Sequence, residues 1–71
     1  MTIEDIFRVN LNNLIQERGF THNSAAMVIG MSQSHLTKLL NGDTCPMLRT
    51  VQNICEKMGV DPIAMMEEED T

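Results

Sequence analysis

The chain has 71 residues, enough for one domain near the lower size limit for folding without disulfides or metal ions. Its hydrophobic content of 42% can supply a core. No stretch approaches the roughly 20 apolar residues of a membrane span and no signal peptide is visible, so we expect a cytoplasmic protein without membrane contact. The net charge of −5 argues against a nucleic-acid partner, but residues 1–66 hold five basic and six acidic residues, a net of only −1.

The first predicted element is a helix over residues 2–18. Its buried face is predicted from apolar residues that recur at helical spacing, namely Ile3, Ile6, Phe7, Leu11, Leu14 and Ile15. Its polar face is assigned to Asn10, Asn12, Asn13 and Gln16. Thr2 and Asp5 are spaced as an imperfect capping box at the start, and Gly19 ends the helix.

Two short helices joined by a tight turn are predicted between Thr21 and Gly42. Thr21 caps the first helix, whose apolar face consists of Ala25, Ala26 and Ile29. Gly30 ends it, because a residue with positive φ is often needed there. Met31 is an apolar residue in a turn that is too short for an ordinary surface loop. We therefore expect its side chain to be buried beneath the turn.

The second of these helices has two unlike faces. Ser32 caps its start, and Asn41-Gly42 is a stop signal. The inward face is predicted to hold Leu36, Leu39 and Leu40. The outward face is predicted to hold side chains that can hydrogen-bond base edges or phosphates, namely Gln33, Ser34, Thr37, Lys38 and Asn41. On the residues alone, a merely solvated helix face is the commoner explanation.

Two further helices complete the chain. Pro46 favours a helix start, but Met47 stands where a capping side chain is expected, so this start should be less firm. The buried face is predicted to consist of Leu48, Val51, Ile54, Cys55 and Met58, and Gly59 ends the helix. Asp61-Pro62 is a strong start for a last helix that is too short to be stable unless it docks on the body or on a second copy.

Taken in order, these features resemble the Cro and phage-repressor type of helix-turn-helix domain. The matching residues are Thr21, Ala26, Gly30, Ser32, Gln33, Ser34, Leu36, Leu39, Asn41, Gly42, Pro46 and Leu48. The resemblance covers roughly residues 3–66 and implies an all-α, compact five-helix, lambda-repressor-like domain over residues 1–66. Its third helix, about residues 33–41, is expected to enter the major groove of DNA. Residues 67–71 are expected to form an acidic, frayed tail.

The resemblance also implies roles for individual residues. The side chains expected to read base edges are Gln33, Ser34, Thr37 and Lys38, with Gln33 suited to a bidentate contact with adenine. Those expected to contact phosphates are His22, His35, Asn41 and Arg49. Those expected to form a symmetric dimer contact are Ile63, Met65 and Met66.

Two departures from the family pattern concern Ile15 and Leu40, and His22. Many members carry an Arg late in the first helix and a Glu just before the Asn-Gly, where this chain has Ile15 and Leu40. Replacing a buried ion pair by apolar residues is often neutral or stabilising, so we expect Ile15 and Leu40 to touch. His22 stands where members carry Gln, and it can also contact a phosphate.

The resulting functional hypothesis is a sequence-specific transcriptional regulator of phage or mobile-element type. It would act as a repressor, with a homodimer occupying a palindromic operator in double-stranded DNA. The alternative is an interaction module, antirepressor-like or antitoxin-like, that binds another regulatory protein; the acidic balance and the Met-rich end of the chain favour this.

An enzyme is excluded because the chain shows no acid–base pair, nucleophile constellation or Gly-rich phosphate loop. Cys45 and Cys55, taken with His22 and His35, match no metal-ligand spacing. We therefore expect reduced thiols, no metal and no cofactor.

Overall fold

The computed structural model describes residues 2–68, and the part of the predicted tail at 69–71 lies outside these residues. Within this range the protein is all-α, which confirms the predicted fold class. The five helices are α1 (Ile3–Glu17), α2 (His22–Ile29), α3 (Gln33–Asn41), α4 (Leu48–Met58) and α5 (Pro62–Met65). The order and approximate bounds match those predicted from the sequence.

Side-chain caps fix the starts of four of the helices. Thr2 and Asp5 form the predicted capping box of α1, and Thr21 forms a second box with Ser24 that the sequence analysis did not assign. The carboxylate of Asp61 accepts the Ile63 amide at the start of α5. Ser32 caps α3, and among the described helices only α4 begins without a side-chain cap, at Met47, as expected.

One hydrophobic core lies between α1 and the other helices. The helix α1 packs on α3 and α5, while α2 packs on α3 and α4. The core residues are Phe7, Leu11, Ile15, Ala25, Ala26, Ile29, Leu36, Leu39, Val51, Ile54, Cys55, Met58 and Met65. The spacing of these residues along the sequence predicted nearly all of them, because each occupies the inner stripe of its own helix.

Two residues assigned to the buried faces are exposed instead. Ile3 is 60% exposed and Leu48 is 79% exposed. Each is the first residue of its helix, and burial begins further in, at Phe7 in α1 and at Val51 in α4. Helical spacing alone does not show where along its axis a helix meets its neighbours, so both assignments were wrong.

Asn10 was assigned to the polar face of α1, and this assignment was also wrong. Asn10 is 9% exposed. Its side-chain amide donates hydrogen bonds to the carbonyl oxygens of Met65 at 2.7 Å and Glu67 at 2.9 Å. These bonds satisfy backbone groups that the short helix α5 leaves open at its end. Asn10 therefore fastens the C-terminal part of the domain to α1.

The two cysteines are free thiols, with Cys45 exposed and Cys55 buried. Burial raises the pKa of the Cys55 thiol, and the nearby Asp61 carboxylate raises it further. Cys55 is therefore a core residue. None of the described helices has the length and apolar character needed to cross a bilayer.

Replacing Asn10 by Ala should lower the free energy of unfolding by about 1–3 kcal/mol, because two carbonyl oxygens at the end of α5 would lose their donor. Urea unfolding followed by circular dichroism measures this loss. Asn13→Ala, a half-buried asparagine on the same helix, is the matched control. Equal losses in the two variants would show that the Asn10 hydrogen bonds contribute nothing specific.

Candidate nucleic-acid interface

The turn between α2 and α3 is closed by backbone hydrogen bonds and by burial of its apolar residue. The amides of Gly30 and Met31 both donate to the Ala26 carbonyl, at 2.8 and 3.0 Å. Gly30 has a φ of +88°, a conformation that strongly favours glycine. The Met31 side chain packs partly buried against the core, as predicted. The turn is therefore held both by main-chain hydrogen bonds and by packing of its side chain on the core.

The start of α3 is set by Ser32. Its hydroxyl oxygen accepts the backbone amide of His35 at 3.1 Å, which satisfies one of the open donors of the first turn. From there α3 runs nine residues to Asn41 and ends at Gly42, with a φ of +86°. Both ends of this helix were predicted from the sequence.

The two faces of α3 differ as predicted. Leu36 and Leu39 are fully buried and Leu40 is half-buried against the same core. The polar residues point the other way: Thr37 is half-buried, and those that are exposed are Gln33, Ser34, Lys38 and Asn41. The four residues expected to read base edges thus lie together on the outer side of α3.

The residues expected to contact phosphates fall into two depressions on the surface beside α3. His35 and Arg49 line one depression, between the turn after α2 and the start of α4, together with Thr50 and Asn53. His22 and Asn41 line the other, where the start of α2 meets the end of α3. The first depression therefore combines polar side chains from α3 and α4, and the second combines polar side chains from three helices.

Arg8 and Asn12 of α1 also line the second depression, and the sequence analysis did not assign them to the site. The Arg8 guanidinium donates to the Asp5 carboxylate, and this hydrogen bond, with further ones from Thr2, holds the pKa of Asp5 below its ordinary value. In the sequence, the only indication of this pairing is that Asp5 and Arg8 are three residues apart on a predicted helix. The approach of Arg8 to α3 is a tertiary contact without a local pattern.

Ile15 and Leu40, the departures from the family pattern, both belong to the packed interior. Ile15 is 2% exposed, and Leu40 packs partly buried against the same cluster. Neither side chain points to solvent, which is consistent with the alignment of α1. Their direct contact stays a prediction.

A family model described as helix-turn-helix matches residues 11–64, from the middle of α1 to α5. The chain belongs to the helix-turn-helix family. This family consists of DNA-binding regulatory domains and is not typically enzymatic, so the protein is a DNA-binding helix-turn-helix regulator. No curated protein and no solved structure gave a match. In this helix-turn-helix protein α2 and α3 form the motif, and α3 stands in the position of the recognition helix.

The three residues expected at a dimer contact lie in different surroundings. Ile63 is 69% exposed and Met66 is half-buried, while Met65 is 7% exposed and part of the core. Ile63 and Met66 are therefore the members of this set whose side chains are at least partly exposed.

Replacing Ser32 by Ala should lower the free energy of unfolding by about 1 kcal/mol, because the His35 amide at the start of α3 would lose its acceptor. Chemical denaturation gives the value. Ser34→Ala removes the same hydroxyl two residues further on, where the side chain is exposed. That variant should lose less than half as much, and a reversed order would contradict the assigned cap.

Proposed function

We propose that this helix-turn-helix protein is a sequence-specific repressor of the Cro type, which occupies a palindromic operator as a dimer. The observation that supports this proposal is the outer face of α3, where Gln33, Ser34 and Lys38 are exposed beside two depressions lined by the expected phosphate contacts. Phosphate contacts position a protein on DNA, and base contacts give sequence specificity.

The chemistry of the α3 side chains fits base reading. Gln33 can make a bidentate contact with adenine, which is worth about 1–3 kcal/mol of discrimination. Thr37 can contact a thymine methyl group, and Lys38 can donate to guanine or to a phosphate. Ser34 can hydrogen-bond to either base of a pair. The assignment of these four to bases rests on the resemblance to the Cro and phage-repressor type, and their common face on α3 is consistent with it.

The weak positive charge of the site predicts how strongly DNA binding depends on salt. Across residues 21–50 the fully charged side chains are Lys38 and Arg49 against Asp43. Few counterions would be released, so binding should depend modestly on salt. Hydrogen bonds from His22, His35 and Asn41, and from the backbone amides at the start of α2, would supply much of the phosphate contact.

The proposed dimer uses the surface around α5. Ile63 is exposed there, next to the half-buried Met66. A two-fold axis near this surface would present two recognition helices to half-sites about 34 Å apart. Repression would follow from steric occlusion of the promoter.

The competing proposal is an interaction module that binds another regulatory protein. The observation that favours it is the adjacent pair Met47 and Leu48, which are 73% and 79% exposed at the start of α4. Exposed apolar side chains of this size can anchor a protein partner. The polar face of α3 favours DNA, which is the reason for ranking this module second.

The deciding experiment selects binders from a random duplex pool at two salt concentrations. The wild-type protein should enrich a palindrome, whereas Gln33→Ala combined with Lys38→Ala should enrich none, because two base-reading side chains are lost. The matched control is Gln52→Ala combined with Lys57→Ala, the same residue types exposed on α4. The control should enrich the wild-type sequence. A wild-type protein that retains no DNA at low salt would remove the proposal and favour the interaction module.

Replacing Ile63 by Glu should weaken the dimer at least tenfold, because a charge would be buried between the two copies. Sedimentation equilibrium measures the dissociation constant. Ile3→Glu is the matched control, since Ile3 is also an exposed isoleucine but lies on α1. A wild-type protein that stays monomeric at high micromolar concentration would contradict the dimer.

A further inference from the structure

Arg8 lies on α1, outside the helix-turn-helix motif, yet its side chain reaches the end of the recognition helix. A Cβ built on Gly42 would lie 3.7 Å from both Cζ and one terminal nitrogen of Arg8. Gly42 is the residue that ends α3. The guanidinium of Arg8 therefore packs beside the C-terminal end of the helix that is proposed to read bases.

Arg8 is held in this place by Asp5. The guanidinium donates to the Asp5 carboxylate, and the other carboxylate oxygen accepts the Thr2 amide at 3.3 Å. The Arg8 side chain is 16% exposed, against 42% for Asp5. A cation that is mostly buried and already paired is poorly placed to bind a DNA phosphate. It is well placed to hold a neighbouring helix.

The position of the cation suits the electrostatics of a helix end. The last carbonyl groups of a helix carry a partial negative charge, and a cation near them is stabilising. Lys38 is the basic residue of the last turn of α3 itself, and it is exposed on the outer face. Arg8 supplies a second charge, from the buried side.

One feature of Arg8 is unfavourable for the fold alone. Its Nε–H is buried and has no hydrogen-bond partner among the described residues. An unpaired buried donor costs stability, and an apolar side chain of similar length would fill the same space without that cost. The interaction with the end of α3 is therefore what an apolar side chain at this position would not replace.

We propose that Arg8 is a positioning residue for the recognition helix. Anchored by Asp5, it fixes the C-terminal half of α3, where Thr37, Lys38 and Asn41 lie, in the orientation that base reading requires. This inference rests on the proposed function, since the orientation matters only for a helix that reads DNA.

Arg18 provides a matched comparison on the same helix. Its guanidinium donates to the Met58 carbonyl at 2.5 Å, at the end of α4. Arg8→Met and Arg18→Met make the same substitution and the same change in net charge. Each removes a cation from the end of a different helix, and only Arg8 lies against α3.

The first measurement is backbone amide hydrogen exchange of the free proteins. The Asp43 amide donates to Lys38 and the Val60 amide donates to Cys55, each across a helix end and at 2.9 Å. Arg8→Met should raise the exchange rate at Asp43 at least threefold and leave Val60 unchanged. Arg18→Met should do the reverse. Equal exchange at Asp43 in both variants would overturn the proposal.

The second measurement is the ratio of affinities for the selected palindrome and for random DNA. Arg8→Met should lower this ratio about tenfold, because the base-reading side chains would no longer be held in register. It should leave the slope of log affinity against log salt unchanged. Arg18→Met should keep the ratio. Both are compared at a temperature where each variant is fully folded by circular dichroism.

Two results of the DNA measurement would overturn the inference while leaving DNA binding intact. A salt slope that falls by about one with an unchanged ratio would make Arg8 a phosphate contact. If Arg8→Met changes neither the salt slope nor the ratio of affinities, Arg8 stabilises α1 alone. If the wild-type protein binds no DNA, the proposed function fails, and amide exchange still decides whether Arg8 holds the end of α3.

Discussion

The nine residues of α3 stay helical because Leu36 and Leu39 are buried against the rest of the domain. A helix of this length is marginal in water by itself. Burying its apolar stripe stabilises it, and the same burial decides which side chains face outward. The cap at Ser32 and the stop at Gly42 then set its length. The presentation of Gln33 and Lys38 is thus a direct consequence of core packing, and a change in the core is also a change in the interface.

Local chemistry made most of the fold predictable. Caps, glycine stops and the inner stripe of each helix depend on residues within one or two turns, and they gave the five helices with small errors in bounds. The outward face of α3 followed from the same spacing. The base and phosphate roles were predicted from the resemblance to a family, because a polar helix face by itself is more commonly just solvated.

What the sequence analysis missed depends on contacts between distant parts of the chain. Asn10 bonds to carbonyls more than fifty residues away, and Arg8 packs against Gly42. Neither contact leaves a local pattern in the sequence. Ile3 and Leu48 were misplaced for a related reason, because periodicity gives the face of a residue but not whether a neighbouring helix extends that far. Met65 was expected at a dimer contact and lies in the core, since α5 docks on both α1 and α4.

The bonds made by Asn10 have a consequence for how this family member can change over time. Asn10 recognises main-chain oxygens, which every amino acid at positions 65 and 67 would provide. These two hydrogen bonds are therefore independent of the exposed side chains around α5, while the buried Met65 contributes packing of its own. The exposed side chain of Ile63 can therefore be replaced while Asn10 still holds the end of α5 against α1, so that the surface of this part of the domain can change without a change in its backbone.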